Sequence, residues 1–364
     1  MKRIFISAGD PSGDRHAANF MSKVLERDSN IEFVGIGGVH MNALGFKSLV
    51  DISDTAVVGF WEVAKKYNFF KKLLNECHNY IKNNNIDLFL PVDYPGFNLR
   101  LAEGAKKNNV KILYYIAPQV WAWGKKRIPK IKSNVDKLLC VLPFEEDFFK
   151  SHGINAEFIG HPMCEDADFL EVNQVRDKNL IALLPGSRTQ EISRHSDLFS
   201  DIITNLKSWN PELKFGLAIP PHLSSEDYKS YINKDITAFT SSRELMKKAQ
   251  AGIVKTGTST LESALLGLPH AMIYKTSAIT YFLGKNFVNL EHISLPNILL
   301  NKTAVKEFIQ KEASPESISD EIKKLLTNKS YYNEVSSDLG LIREMLGSKS
   351  ASENVANTIL EMIT

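Results

Sequence analysis

Arg3-Ile-Phe-Ile-Ser-Ala-Gly-Asp-Pro-Ser-Gly-Asp14 runs an apolar stretch straight into a turn of small residues. Leu180-Ile-Ala-Leu-Leu-Pro-Gly-Ser-Arg188 repeats that arrangement half a chain later. A continuous apolar run reads as a parallel strand covered on both faces, and a small-residue turn after it opens a crossover helix. The rhythm extends outward from both points. Arg3–Ala8, Glu32–Ile36, Ile86–Val92, Lys111–Ile116, Lys137–Val141 and Glu157–Ile159 read as strands, with helical patterns such as Ser12–Arg27 and Glu62–Asn83 between them. It resumes with Leu180–Leu184, Lys214–Ile219, Ile236–Phe239, Gly252–Val254 and Ala271–Tyr274. Cys164–Lys178 between the halves is acidic, polar and aperiodic, and reads as a linker. From Pro315 onward only helical patterns appear. The expected class is α/β, with two doubly wound parallel sheets facing a cleft.

Bulk properties agree. A chain of 364 residues, 43% apolar and 24% charged, fits two soluble domains. The net charge of +2 gives no footprint for nucleic acid. Met1–Asp10 carries too short an apolar run for an export signal, and no stretch reaches the ~20 apolar residues of a membrane span. Cys77, Cys140 and Cys164 are odd in number and far apart, which fits buried thiols in the cytoplasm and neither a disulfide frame nor a zinc site.

Chemistry-bearing residues gather at the turns. Ser12 is placed to cap the first helix, whose start favours an anion. Pro91-Val-Asp-Tyr-Pro-Gly-Phe-Asn98 follows an apolar strand and puts Asp93 where a general base would stand; a helix cap is the competing reading. Ala117-Pro-Gln-Val-Trp-Ala-Trp-Gly-Lys-Lys-Arg127 sets Trp121 and Trp123 beside Lys125, Lys126 and Arg127, a pairing suited to sugar rings and phosphates; core tryptophans before a solvated helix face are the competing reading. Gly186 and Ser187 shape a turn beside Arg188, a fork-shaped cation able to grip a pyrophosphate without a metal. Thr256, Gly257, Thr258, Ser259 and Thr260 open another helix and suit phosphate oxygens, while Glu262 on that helix can take ribose hydroxyls; a capped helix whose glutamate faces water is the competing reading. Ser294-Leu-Pro-Asn-Ile-Leu-Leu300, with the single amide Asn297, reads as structural on composition.

Taken together, Ala-Gly-x-x-Ser-Gly-Asp ending at Asp14, Asp-x-Pro-x-Phe-Asn, Pro-x-Val-Trp-Ala-Trp, Leu-Pro-Gly-Ser-Arg, Gly-Thr-x-Thr-Leu-Glu and Ser-Leu-Pro-Asn occur in one order from residue 8 to about residue 300. In that order they resemble lipid A disaccharide synthases. The resemblance implies a GT-B fold of two Rossmann-like domains, here 1–165 for the acceptor and acyl chains and 166–345 for the nucleotide sugar, with 346–364 as a helix packing back on the first. It implies inverting transfer from UDP-2,3-diacylglucosamine to 2,3-diacylglucosamine 1-phosphate, giving a β-1,6 disaccharide and UDP, with no metal and no cofactor. Asp93 is then the base, and Arg188 and Asn297 are essential. Glu262 holds the ribose, the 256–260 turn holds the diphosphate, and Ser12, Asn98, Trp121, Trp123, Lys126 and Arg127 serve the acceptor. Gly96 stands where a second aspartate is usual, leaving Asp93 the one carboxylate of its element.

Acylated substrates imply contact with the inner-membrane surface, and the family can exchange its C-terminal segment in a homodimer. Phe60, Trp61, Phe69 and Phe70, interleaved with lysines, suit an interfacial helix or, equally, an aromatic face packed into the first domain. The rivals are a UDP-GlcNAc 2-epimerase, a peptidoglycan N-acetylglucosaminyltransferase and a two-lobed binding protein. The last predicts an export signal that Met1–Asp10 lacks.

Overall fold

The computed structural model describes residues 1–52, 67–170, 175–219, 231, 236–276 and 291–364. They form two units, Met1–Pro162 joined by Leu346–Thr364, and Met163–Met345.

In the first unit, β1 (Lys2–Ala8), β2 (Ile31–Gly37), β3 (Lys47–Asp51), β4 (Leu88–Val92), β5 (Lys111–Tyr115), β6 (Lys137–Cys140) and β7 (Ala156–Phe158) make one sheet in the order β3-β2-β1-β4-β5-β6-β7. Every pairing is parallel. β4 is buried along its whole length and β1 over its last five residues, as strands covered by helices on both faces must be. The order reverses between β1 and β4, which makes their carboxyl ends the place where loops diverge and leave room for a ligand. The C-terminal helix Ala351–Ile363 lies on the helix Pro11–Arg27 of this unit. Val355, Ala356 and Ile359 are buried there, while Lys23 and Arg27 both pair with the half-exposed Glu353. Exposed pairs of that kind contribute little, so the apolar face holds the helix.

In the second unit, β8 (Asp177–Leu184), β9 (Lys214–Ala218), β10 (Ile236–Phe239), β11 (Ala249–Lys255), β12 (His270–Tyr274) and β13 (Glu307–Ile309) are also all parallel, in the order β10-β9-β8-β11-β12-β13. Here the reversal falls between β8 and β11.

Two strands lie outside the sequence reading. β3 is an edge strand in which leucine and valine sit among Lys47, Ser48 and Asp51, and β13 has three residues. Neither carries the unbroken apolar run that marks a covered strand. The segment read as an aperiodic linker carries short elements of its own. A 3₁₀ turn covers Pro162–Glu165, a short helix covers Ala167–Leu170, and β8 already begins at Asp177. Among the described residues, no helix is long and apolar enough to cross a membrane.

Candidate active site

At the carboxyl edge of the second sheet, β8 ends at Leu184, and Pro185–Arg188 lead into the helix Thr189–Trp209. β11 ends at Lys255, and Thr256 and Gly257 lead into the helix Thr258–Leu265. These strands are neighbours at the reversal point, so both turns and both helix starts face the same edge. Gly186 (φ 129°) and Gly257 (φ 142°) hold backbone conformations that side chains resist, which is why small-residue turns are found there.

One carboxylate fastens the two turns together. Glu191, in the first turn of its helix, accepts from Lys255 Nζ at 2.9 Å and from the Ser187 N–H at 3.3 Å, and Arg188 lies 3.5 Å from it. The lysine and arginine outweigh the burial of Glu191 and hold its carboxyl below the usual range. Below them, buried His195 places Nδ1 2.8 Å from the Pro185 carbonyl and Nε2 3.3 Å from that of Lys275, bracing the Pro-Gly-Ser turn against the end of β12. Burial lowers the His195 pKa, against the two carbonyl contacts, which raise it.

The predicted donor residues separate into two groups. Ser187, Arg188, Gly257 and Thr258 are exposed, while Gly186, Thr256 and Ser259 are half-buried. Thr260 is fully buried and gives its hydroxyl to the Gly257 carbonyl at 2.8 Å, so it shapes the turn and does not face a phosphate. Glu262 is half-buried and accepts from Arg243 Nε at 3.2 Å. Asn297 is fully buried. Its amide donates to the Val305 carbonyl and to Glu307, both at 2.8 Å, and its oxygen accepts from the Val305 N–H at 2.9 Å. Asn297 thus ties its helix start to the segment leading into β13, the structural reading its composition suggests.

At the carboxyl edge of the first sheet, β1 leads through Gly9 and Asp10 into Pro11–Arg27, and β4 through Asp93 and Tyr94 into Pro95–Lys107. A Cβ on Gly9 would stand 2.5 Å from the Tyr94 ring, so only glycine lets these turns meet. The helix cap is Asp10, whose carboxylate accepts from the Gly13 N–H at 2.6 Å, and not Ser12 as expected. Ser12 is exposed and lies 3.2 Å from His16 Nε2. Asp14 is buried and binds the N–H groups of Gly38, His40 and Met41, so it locks the turn after β2.

Asp93 (φ 47°) and Tyr94 (φ 49°) are consecutive left-handed residues, and Ile116 (φ 63°) sits just beyond β5. A β-branched residue in that region is strained by ~1–3 kcal/mol, and such strain gathers at functional sites. The Asp93 backbone is clamped on three sides. Its N–H donates to the Tyr115 carbonyl at 2.9 Å, and its carbonyl accepts from Tyr114 OH at 2.7 Å and Asn98 Nδ2 at 2.8 Å. Asn98 is a buried brace, since its amide nitrogen also faces the Ser7 and Val92 carbonyls. Burial, and then the nearby Asp10 charge, raise the Asp93 carboxyl from 3.8 to about 6 against a lowering hydrogen bond from Tyr94.

The tryptophans divide in the same way. Trp121 is buried edge-on against Phe144 and donates to Glu145 at 2.9 Å, a core role in place of the predicted sugar contact. Trp123 is 48% exposed with the Arg127 guanidinium 5.0 Å from its ring, and Lys126 is exposed beside it. Phe69 and Phe70 are half-buried on the unit's core, with the Phe70 ring 6.4 Å from that of Phe97. Their packing is that of the second alternative, an aromatic face turned into the first unit. Phe60 and Trp61 lie outside the described residues.

Sequence reasoning missed Glu145, Glu191, His195, Arg243 and Lys255. Burial pushes Glu145 up to about 7, against donors from Trp121, Leu142 and Val141. A carboxylate in the first turn of a helix reads as a helix start, and nothing in its sequence says which neighbour it meets.

A model of the lipid-A-disaccharide synthetase family matches residues 4–360. The chain belongs to that family. It is 39% identical to the lipid-A-disaccharide synthase of Trichlorobacter lovleyi, covering 100% of this chain and 98% of that one. It is 32% identical to that of Coxiella burnetii, covering 100% and 99%. The fold is similar to the UDP-GlcNAc 2-epimerase of Neisseria meningitidis bound to UDP-GlcNAc, with TM-score 0.65, 12% identity, and 99% and 100% of the two chains covered. It is also similar to the calicheamicin glycosyltransferase CalG4, with TM-score 0.62, 11% identity, and 100% and 98% covered. These solved structures place the fold in the GT-B class. Family membership makes the chain a glycosyltransferase of lipid A disaccharide synthesis and removes the epimerase and binding-protein alternatives.

Proposed function

We propose that the protein transfers the sugar of UDP-2,3-diacylglucosamine to the 6-hydroxyl of 2,3-diacylglucosamine 1-phosphate. Asp93 accepts the proton of the attacking hydroxyl, the new bond from that oxygen to the sugar C1 forms, and the C1–diphosphate bond breaks with its electron pair leaving on UDP. Inversion at C1 follows from attack opposite the leaving group. The observation that carries the reading is Asp93 itself, a carboxyl with a raised pKa at the edge where β1 and β4 diverge, on a backbone held from three sides.

The second unit supplies the donor site in this reading. Arg188 and the Gly186–Ser187 and Thr256–Ser259 turns bind the diphosphate, supported by the exposure of Ser187, Arg188, Gly257 and Thr258 at two helix starts. A fixed guanidinium neutralises the leaving charge, so no metal or cofactor is needed. Glu262 takes the ribose. Ser12, Trp123, Lys126 and Arg127 serve the acceptor's sugar and phosphate, supported by their exposure or half-exposure in the first unit. The N-terminal residues 1–165 act as the acceptor domain and 166–345 as the nucleotide-sugar domain. The enzyme works on the cytoplasmic face of the inner membrane, where acyl chains remain in lipid, and exposed Lys71 and Lys72 suit its anionic surface. A homodimer sharing residues 346–364 belongs to the same reading.

The test is UDP release from UDP-2,3-diacylglucosamine, with and without the 1-phosphate acceptor and with EDTA. Acceptor-dependent release that survives EDTA is expected. Acceptor-independent release, or turnover of UDP-GlcNAc alone, would remove the proposal.

A further inference from the structure

The carboxylate given to the ribose does not stand alone. Arg243, in the first turn of the helix Ser242–Lys248, reaches Glu262 Oε1 with Nε at 3.2 Å. Its NH1 lies 3.0 Å from Asp166 and 3.2 Å from Asp168. The guanidinium carbon sits 4.6 Å from the centre of the Phe169 ring, which is itself buried. Lys247 holds the other oxygen of Asp168 at 2.8 Å. Arg243 and Glu262 are each about four-fifths covered, with side-chain exposures of 20% and 17%.

We infer that Arg243 is a positioning residue for donor recognition, fixing the Glu262 carboxylate in the orientation that takes the ribose. The inference rests on the ribose reading of Glu262 and extends it. A glutamate side chain is long and free to rotate, and a free carboxylate in a half-buried site has several orientations open to it. A guanidinium presents donors in a rigid plane, so an arginine anchored elsewhere transmits its own position to the carboxylate it grips. Arg243 is anchored elsewhere twice, by the aspartates of residues 166–168 and by the Phe169 face. All of these groups belong to the second unit. The segment that the sequence reads as a linker thus supplies the footing for the donor site. An ammonium at the same position grips as a point charge and does not bridge three carboxylates in a fixed plane.

The competing reading makes Arg243 a staple between Ala167–Leu170 and Thr258–Leu265 with no bearing on the ligand. The two differ in one measurable quantity, the preference for UDP over 2′-deoxy-UDP. A carboxylate aimed at the ribose makes a charge-assisted hydrogen bond that the deoxy nucleotide cannot, worth about tenfold or more in Kd. Calorimetric titration of both nucleotides should give that ratio for the natural protein and a ratio near one for Glu262→Gln. The Arg243→Gln variant should bind 2′-deoxy-UDP within about threefold of the natural protein while its preference for UDP falls below about threefold. Retained binding of the deoxy nucleotide also reports that the unit is folded. Arg243→Lys keeps the charge and should lose at least threefold of the preference.

A natural preference in either Arg243 variant, with Glu262→Gln flat, overturns the positioning role alone. Equal weakening of both nucleotides in Arg243→Gln does the same and assigns the staple. A natural preference in Glu262→Gln overturns the ribose reading and this inference with it.

Discussion

Replacing Asp93 by Asn tests the base and the environment that makes it one. The substitution keeps the size and the left-handed backbone, which Asn tolerates as well as Asp. It leaves the Asn98, Tyr114 and Tyr115 bonds to the Asp93 backbone in place. General-base catalysis is worth ~10²–10⁴-fold, and kcat should fall by that amount with UDP affinity unchanged. Stability should move the other way. A carboxyl raised from 3.8 to about 6 in the fold corresponds to at most ~3 kcal/mol of penalty on its ionised form, reduced in practice by its partial exposure. The sign follows from the direction: stability associated with the raised group is present below its unfolded value and is lost as pH rises through about 6. The Asn variant should therefore be more stable than the natural protein by ~1–3 kcal/mol at pH 7.5, and the two should converge as pH falls towards 4. In the natural enzyme kcat/KM should rise tenfold per pH unit below about 6 and level off above it. Urea unfolding across pH, read beside UDP release, measures both. An Asn variant that turns over within threefold of the natural enzyme, or is less stable at pH 7.5, refutes the assignment.

Arg188→Ala should cut kcat/KM by ~10²–10³-fold with activity indifferent to EDTA in both proteins; its side chain is 65% exposed, so the melting temperature should barely change. Asn297→Ala should cost ~2–4 kcal/mol of stability, because it strips partners from the buried Val305 backbone and Glu307; an unchanged melting temperature would return Asn297 to catalysis. Phe69→Ser with Phe70→Ser should destabilise the first unit by ~2–4 kcal/mol in urea while vesicle binding of the folded fraction is kept; loss of binding without loss of stability would reinstate the membrane role.

The two sheets were legible because parallel strands covered on both faces write themselves as continuous apolar runs, as in Phe5–Ala8 and Ile181–Leu184. β3 and β13 were not, because an edge strand with one open side and a three-residue strand leave no such run. The turns that carry the candidate site were legible for a related reason. Glycines at positive φ, and a carboxylate or guanidinium just past a strand, are properties of one short stretch of chain.

Which neighbour a side chain meets is a property of the fold. Asn98 and Asn297 stand in motifs beside Asp93 and beyond Glu262, and the sequence does not distinguish a buried brace from a ligand. Glu191, in the first turn of its helix, meets Lys255 sixty-four residues away, and Arg243 joins Asp166 and Asp168 to Glu262 from a distant segment. Sequence alone determined two α/β halves, the family resemblance, and Asp93 and Arg188 as the groups to watch. Only the tertiary structure decided that Asp93 sits half-buried near Asp10, which raises its pKa, and that Glu262 is gripped by an arginine footed on the supposed linker. Charge and hydrogen bonding depend on distance through space, and that distance is set when the strands pair.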